Sequence, residues 1–140
     1  ERLVHLSAEV VLVGEQPGEC EDREGMPFTG PAGNVLDDAL GLAELPRESL
    51  YLTNAVKHFN WRDDGKRRLH DRPVAAEIAA CRPWLAEEMA LVRPSILVCL
   101  GASAAQSVLG KAVRLVDAKE DGLKAITRAG FGLLTIHRHF

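Results

Sequence analysis

The sequence predicts a single doubly wound α/β domain, built on a four-stranded parallel sheet with helices on both faces. Three observations predict it. The segments Val10–Val13, Leu50–Thr53, Ile96–Leu100 and Leu133–Ile136 are short and apolar throughout rather than alternating, as strands covered on both sides are. Helical stretches separate them, the pattern of strand–helix–strand units. The chain of 140 residues, 46% apolar and 26% charged, has the size and composition of one soluble globular core.

The first strand, Val10–Val13, stops at Gly14, and the chain then crowds Glu15, Gln16, Pro17, Gly18, Glu19, Cys20, Glu21 and Asp22 into a turn. Open α/β sheets bind their ligands at such strand ends. The first helix starts near Pro31, a favoured first-turn residue, with Val35, Leu36, Ala39, Leu40 and Leu42 on its apolar face. The second strand ends at Asn54. Residues Asn60–Arg72 form the longest polar stretch and read as a loop, either functional or disordered. A helix from Pro73 to Leu91 follows, with Ile78, Trp84 or Leu85, and Met89 as its buried stripe. The third strand turns through Gly101 into a helix at Ala102–Leu109. Lys119–Gly130 carries no clear pattern. No helix precedes the first strand and the chain stops four residues after the fourth, so 1–140 reads as one domain trimmed at both ends.

Bulk properties exclude several classes. No apolar run approaches the ~20 residues of a membrane span, and the N-terminus lacks a signal-peptide layout. Three widely spaced cysteines argue against a disulfide framework and for a reducing compartment, so a cytoplasmic location is expected. A net charge of −3 excludes a uniformly basic nucleic-acid coat. The charge is unevenly spread, however. Lys57–Arg72 holds six Lys or Arg against three Asp, enough for a local phosphate-binding patch.

The strand-end turn contains neither G-x-x-x-x-G-K-[ST] nor G-x-G-x-x-G, which disfavours a nucleotide-cofactor enzyme. Gln16 could hydrogen-bond a carbonyl, and Phe28 could stack on a flat ring or simply close the loop. Asn54 offers an acceptor and two donors from one plane, which suits the amide edge of uracil or cytosine; the alternative is a strand-end cap. Gly14, Asn54 and His137 all end predicted parallel strands and would open on one crevice.

Gly14-Glu15-Gln16-Pro17-Gly18, Glu21-Asp22 and Gly25-Met26-Pro27-Phe28-Thr29-Gly30-Pro31-Ala32-Gly33 resemble the first motif of the iron–sulfur uracil-DNA glycosylases of family 4. Thr53-Asn54-Ala55-Val56-Lys57 and Cys81-Arg82-Pro83-Trp84-Leu85 match as well. Gln16, the histidine of Lys57-His58-Phe59, and Lys66-Arg67-Arg68-Leu69-His70 resemble the UdgX branch in particular. The resemblance runs from about Val11 to Gly110 and implies a uracil-DNA glycosylase-like three-layer sandwich.

It also implies a mechanism. UdgX-type proteins excise uracil from DNA and become joined to the abasic sugar through the loop histidine, here His70. Asn54, Gln16, Phe28 and His137 would bind the base, and Gln16, Asn54 and His137 would stabilise the charge that builds on it. Glu19 is the candidate wall at the base's 5-position, or the carboxylate that activates water in a turning-over enzyme. Lys57, Lys66, Arg67 and Arg68 would hold the DNA backbone. The expected partner is uracil-containing, single-stranded DNA, bound by a monomer with no membrane involvement. The family carries a [4Fe–4S] cluster, for which His58 and Cys81 stand at ligand positions, while the N-terminal C-x-x-C is absent from this sequence. Cys99 reads as a small core residue and Cys20 as incidental. His137-Arg138-His139 replaces the family's His-Pro-Ser. A multiple-turnover glycosylase and a non-catalytic uracil-DNA-binding module are the competing readings.

Overall fold

The computed structural model describes residues 6–110 together with the backbone of two further strands, 124–128 and 131–137. In chain order the elements are β1 (Val10–Gly14), α1 (Glu19–Glu24), α2 (Pro31–Leu42), a 3-10 turn at Arg47–Ser49, β2 (Leu50–Asn54), β3 (Trp61–Asp63), β4 (Arg68–His70), α3 (Ala75–Val92), β5 (Ile96–Leu100), α4 (Ala102–Leu109), β6 (Lys124–Arg128) and β7 (Phe131–His137). A mixed sheet has the order β2-β1-β5-β7-β6, and β3 and β4 form a separate two-stranded ladder.

Among the described residues, only β2, β1 and β5 run parallel. The expected four-stranded parallel sheet is corrected here, because β7 pairs antiparallel with β5 and β6 antiparallel with β7. The reason lies in the unpatterned segment after α4. It contains β6, so the chain reaches β7 from an antiparallel neighbour rather than through the crossover a parallel strand needs. The register sets His137 beside Ile96, where β5 begins. Gly14 and Asn54 stand at the other end of the sheet. The expected convergence of His137 with them is therefore not what this backbone holds, and the replaced residues 138–140 lie outside the described residues.

Side-chain alternation along the parallel strands builds two cores. Val11 and Val13 of β1 pack with Leu97 and Cys99 of β5 against Leu85 and Val92 of α3 and Ala104 and Ala105 of α4. Leu12 points the other way, to Leu50 and to Leu40 of α2, with Leu36, Leu52 and Val98 around them. Helices thus cover both faces of the parallel strands, and each fully buried aliphatic side chain contributes about 1.5–3 kcal/mol. On α3 the choice between Trp84 and Leu85 is settled: Leu85 is 2% exposed and Trp84 67%. Among the described residues, no helix is long and apolar enough to cross a membrane.

Candidate active site

The carboxyl ends of the three parallel strands deliver the site. Gly14 pairs with Asn54 across β1 and β2. Past the strand ends, Ala55 N donates to Gly14 O at 2.8 Å and Val56 N to Glu15 O at 2.9 Å, so the two exits stay joined. The Asn54 amide and the Phe28 ring close over Gly14: a Cβ added there would lie 2.5 Å from Asn54 Oδ1 and 2.7 Å from Phe28 Cζ. A flat ring and a planar amide therefore form one corner. Gly14→Ala would fill that corner. It is expected to cost about 1–3 kcal/mol by overpacking, read as a lower Tm.

Phe28 is held in a backbone conformation of φ +55°, unusual for a residue with a Cβ. Its carbonyl lies against the α-carbon of Gly33 in α2, where any side chain would collide. Arg47 Nη2 donates to Phe28 O at 2.9 Å and Pro27 O at 3.0 Å, while Arg47 Nη1 holds Asp37 at 2.7 Å. From the other side the Glu21 carboxylate accepts from Gly18 N (3.0 Å), Thr29 N (3.1 Å) and Gly30 N (2.8 Å). These clamps overdetermine the strained residue, a condition for such strain to persist. A cleft of about 740 Å³ runs from Asn54 along the outer edge of β2, lined by Pro17, Glu21, Pro27, Tyr51 and Lys57 among others.

The polar stretch predicted as a loop is a β-hairpin. Trp61 pairs with His70, Arg62 with Leu69 and Asp63 with Arg68. Asp64 closes its tip by accepting from Lys66 N (3.0 Å) and Arg67 N (2.9 Å), and Gly65 takes φ +86°. Those two N–H groups, Arg67's first, hold the Asp64 carboxyl below its ordinary range. Gln16 Nε2 donates to Asn60 O and Asp71 O, both at 3.1 Å, so one amide grips both ends of the hairpin. Gln16→Leu removes these two bonds, each worth about 0.5–1.5 kcal/mol. The expected result is faster hydrogen exchange confined to residues 60–71, with Tm lowered only slightly.

The grip presents His70 to Glu15. His70 Nε2 lies 3.6 Å from Glu15 Oε1, Arg72 Nε 3.8 Å from Oε2, and Ser103 Oγ donates to Oε2 at 2.7 Å. Ser103 enters from the turn after β5, where Gly101 takes φ +98°, a value that favours glycine. The third strand end to contribute at this edge is thus β5 through Ser103. Glu15 follows Gly14 in sequence, so the residue that backs the Phe28–Asn54 corner is succeeded directly by the one that faces His70. Neither Glu15 nor Ser103 was singled out from sequence, although Glu15 stands inside the strand-end motif.

The profile of the Uracil DNA glycosylase superfamily matches residues 2–137. The chain belongs to this superfamily. The Type-4 uracil-DNA glycosylase of Archaeoglobus fulgidus is 40% identical over 101 residues, 72% of this chain and 47% of that protein. That of Thermotoga maritima is 38% identical over 100 residues, 71% of this chain and 48% of its own length. The Type-5 uracil-DNA glycosylase of Pyrobaculum aerophilum is 34% identical over 119 residues, 74% of this chain and 49% of its own. The chain spans about half the length of the curated relatives it matches.

Within this superfamily member several expected roles change. Gln16 spends both amide hydrogens on the hairpin, so it has none to donate to a base carbonyl; its Oε1 is buried with no hydrogen-bond partner among the described residues. Glu19 turns to Arg23 (2.8 Å) and Arg68 (3.5 Å) and does not line the cleft with Asn54. Lys57 is no free phosphate anchor. Its ammonium donates to Thr53 Oγ1 (2.8 Å), Asn54 O (2.7 Å) and Glu88, whose other oxygen accepts from Tyr51 OH at 2.6 Å. Burial, then the Glu88 carboxylate, holds the Tyr51 hydroxyl far above the usual phenol range. Arg68 braces the hairpin against α1 through Asp22 at 2.9 Å, and the hydrogen bond to that carboxylate raises the guanidinium further above its ordinary value. Lys66 and Arg67 remain exposed near the hairpin tip.

For the cluster expected in the superfamily's family 4, the fit is partial. Cys81 Sγ is buried and accepts from Lys57 N at 3.5 Å, next to the exposed His58. Among the described residues, no three His, Cys, Asp or Glu gather as a metal-holding group. His58 and Cys81 do not by themselves complete a four-ligand site. Cys99 is a core thiol, pushed up to about 12 by burial.

Proposed function

We propose that this chain excises uracil from DNA and then captures the abasic sugar on His70. The observation that carries the reading is the junction at Gly14–Glu15. One residue backs the Phe28–Asn54 corner, and the next faces the His70 imidazole at 3.6 Å. The names of the similar proteins, Type-4 and Type-5 uracil-DNA glycosylases, support the substrate. Capture by His70 rests on the geometry and on the UdgX-like residues Gln16, His58 and Lys66–His70.

A flipped uracil would lie in the corner, its ring against Phe28 and its amide edge on Asn54. As the C1′–N1 bond breaks, its electron pair leaves with the uracil ring. The Asn54 amide N–H stabilises the developing negative charge. C1′ becomes electron-poor. The uncharged His70 imidazole then donates a nitrogen lone pair to C1′, and the Glu15 carboxylate stabilises the positive charge the ring acquires. Loss of the other ring-nitrogen proton to solvent leaves a stable N-alkyl imidazole, while the uracil anion takes up a proton. Ser103 and Arg72 hold Glu15 where this charge appears.

A second reading has Glu15 activating water at the same carbon, favoured by its fixed carboxylate and by the half-exposed His70. One experiment separates them. A labelled uracil-containing single-stranded oligonucleotide is mixed with substoichiometric protein, and free uracil and a denaturing gel are followed together. Capture gives uracil release that stops at one equivalent per protein, with an equal amount of slow-migrating band. Release beyond many equivalents without a band selects the turnover enzyme. Absence of both uracil release and band overturns the glycosylase proposal.

A further inference from the structure

We infer that Trp61 is a stacking platform for the base that flanks the flipped nucleotide. The inference rests on the reading of His70 given above and adds a substrate-binding residue to it. Three observations converge on this indole.

The first is register. Trp61 is paired with His70 across the β3–β4 ladder. Directly opposed residues of an antiparallel pair project on the same face, with Cβ atoms about 4.5–5.5 Å apart. A nucleotide whose sugar faces His70 thus has its neighbour in the strand within reach of the indole. The second is exposure. Trp61 stays 43% exposed, although the hairpin is pinned at both ends by Gln16 and could have buried it. Phe59, two residues earlier, is buried.

The third is the support behind the ring. The Arg68 guanidinium lies over Trp61 with its carbon 5.4 Å from the ring centroid, and 5.1 Å from that of Phe59. Arg68 is itself fixed by Asp22 and Glu19. The indole is therefore backed by a cation on a rigid brace. Around it, Lys66, Arg67 and Arg72 are exposed, the latter two 73% exposed. A fixed aromatic face among solvent-facing cations is the arrangement that binds single-stranded nucleic acid with little base preference. Stacking and phosphate contact together would deliver the strand to His70.

The test uses the two-tryptophan chain itself. In Trp84→Phe, Trp61 is the remaining indole, and titration with uracil-free oligo(dT) should quench its emission saturably. In Trp61→Leu, the half-saturating concentration of uracil-containing oligonucleotide should rise about tenfold or more, the loss expected for one stacked base. The limiting rate of covalent-band formation at saturating DNA should stay within about twofold, the signature of lost binding rather than lost chemistry. Trp61→Tyr, which keeps a π-face, should restore most of the affinity. An unchanged limiting rate also shows that the hairpin still presents His70. Absence of quenching, or equal half-saturation in Trp61→Leu and the parent, overturns the inference. Should the parent protein release no uracil and form no band while oligo(dT) still quenches Trp61, the glycosylase proposal fails and the stacking surface stands.

Discussion

Replacing His70 by alanine is expected to take the covalent protein–DNA band from stoichiometric to undetectable. The side chain is 51% exposed, and its contact with Glu15, at 3.6 Å, is longer than a hydrogen bond. Exposed substitutions of this kind change stability by about 0.5 kcal/mol or less, so Tm should hold and the loss can be assigned to chemistry. The Phe28–Asn54 corner is untouched in this variant. Uracil release should therefore continue, leaving free abasic sites that alkali cleaves. A band of undiminished intensity in His70→Ala would remove this residue as the nucleophile and leave the hairpin as a DNA contact alone.

Asn54→Asp is expected to slow single-turnover uracil release by about 10²–10³-fold, the cost of losing one preorganised donor to a developing anion. The substitution keeps the shape of a buried side chain beside Gly14 while replacing an N–H donor by a carboxylate. The new charge also opposes the charge gathering on the base. Release rates measured with protein in excess, beside Tm, read the two effects separately. A rate within a few-fold of wild type at unchanged Tm would mean that Asn54 only caps the strand exit. Both predictions act on the same reaction from opposite sides of the glycosidic bond. His70→Ala should lose capture and keep release; Asn54→Asp should lose both, because capture requires the bond to break first.

Much of the scaffold was legible because local pattern and tertiary role agree. Val10–Val13, Leu50–Thr53 and Ile96–Leu100 read as doubly covered strands, and β1, β2 and β5 are buried between α2 on one face and α3 and α4 on the other. Trp84 and Leu85 could not be separated by periodicity alone. Both fall near the inner stripe of α3, and only the packing of Leu85 against β1 and β5 selects it. The last strand was found but its direction was not, since direction depends on β6, whose residues Lys124–Arg128 carry no apolar signature.

Chemical type was also readable one residue at a time, whereas partnership was not. Phe28 and Asn54 read as a candidate ring and amide edge beside plainer alternatives, and His70 as a candidate nucleophile only through the family resemblance. Gln16 and Lys57 announce a donor and a cation, yet both are consumed internally, by Asn60 and Asp71 in one case and by Thr53, Asn54 and Glu88 in the other. A sequence names what a side chain can do. It does not name which acceptor lies 3 Å away, because those acceptors come from 44 and 55 residues distant for Gln16 and 31 for Glu88.

By itself, then, the sequence determined the three strands that run parallel, the helices that cover them and the turn at the Gly14 strand end, and it named Phe28, Asn54 and His70 as candidates there. Those follow from hydrophobic periodicity and from motifs short enough to be local. The tertiary structure alone decided that the polar stretch is a hairpin, that Gln16 pins it and that Glu15, held by Ser103, faces His70. It also decided that β7 runs antiparallel and sets His137 beside Ile96. The physical reason is that each of these is a pairing between segments far apart in the chain, fixed by which backbone and carboxylate oxygens packing brings within hydrogen-bonding or Coulombic reach.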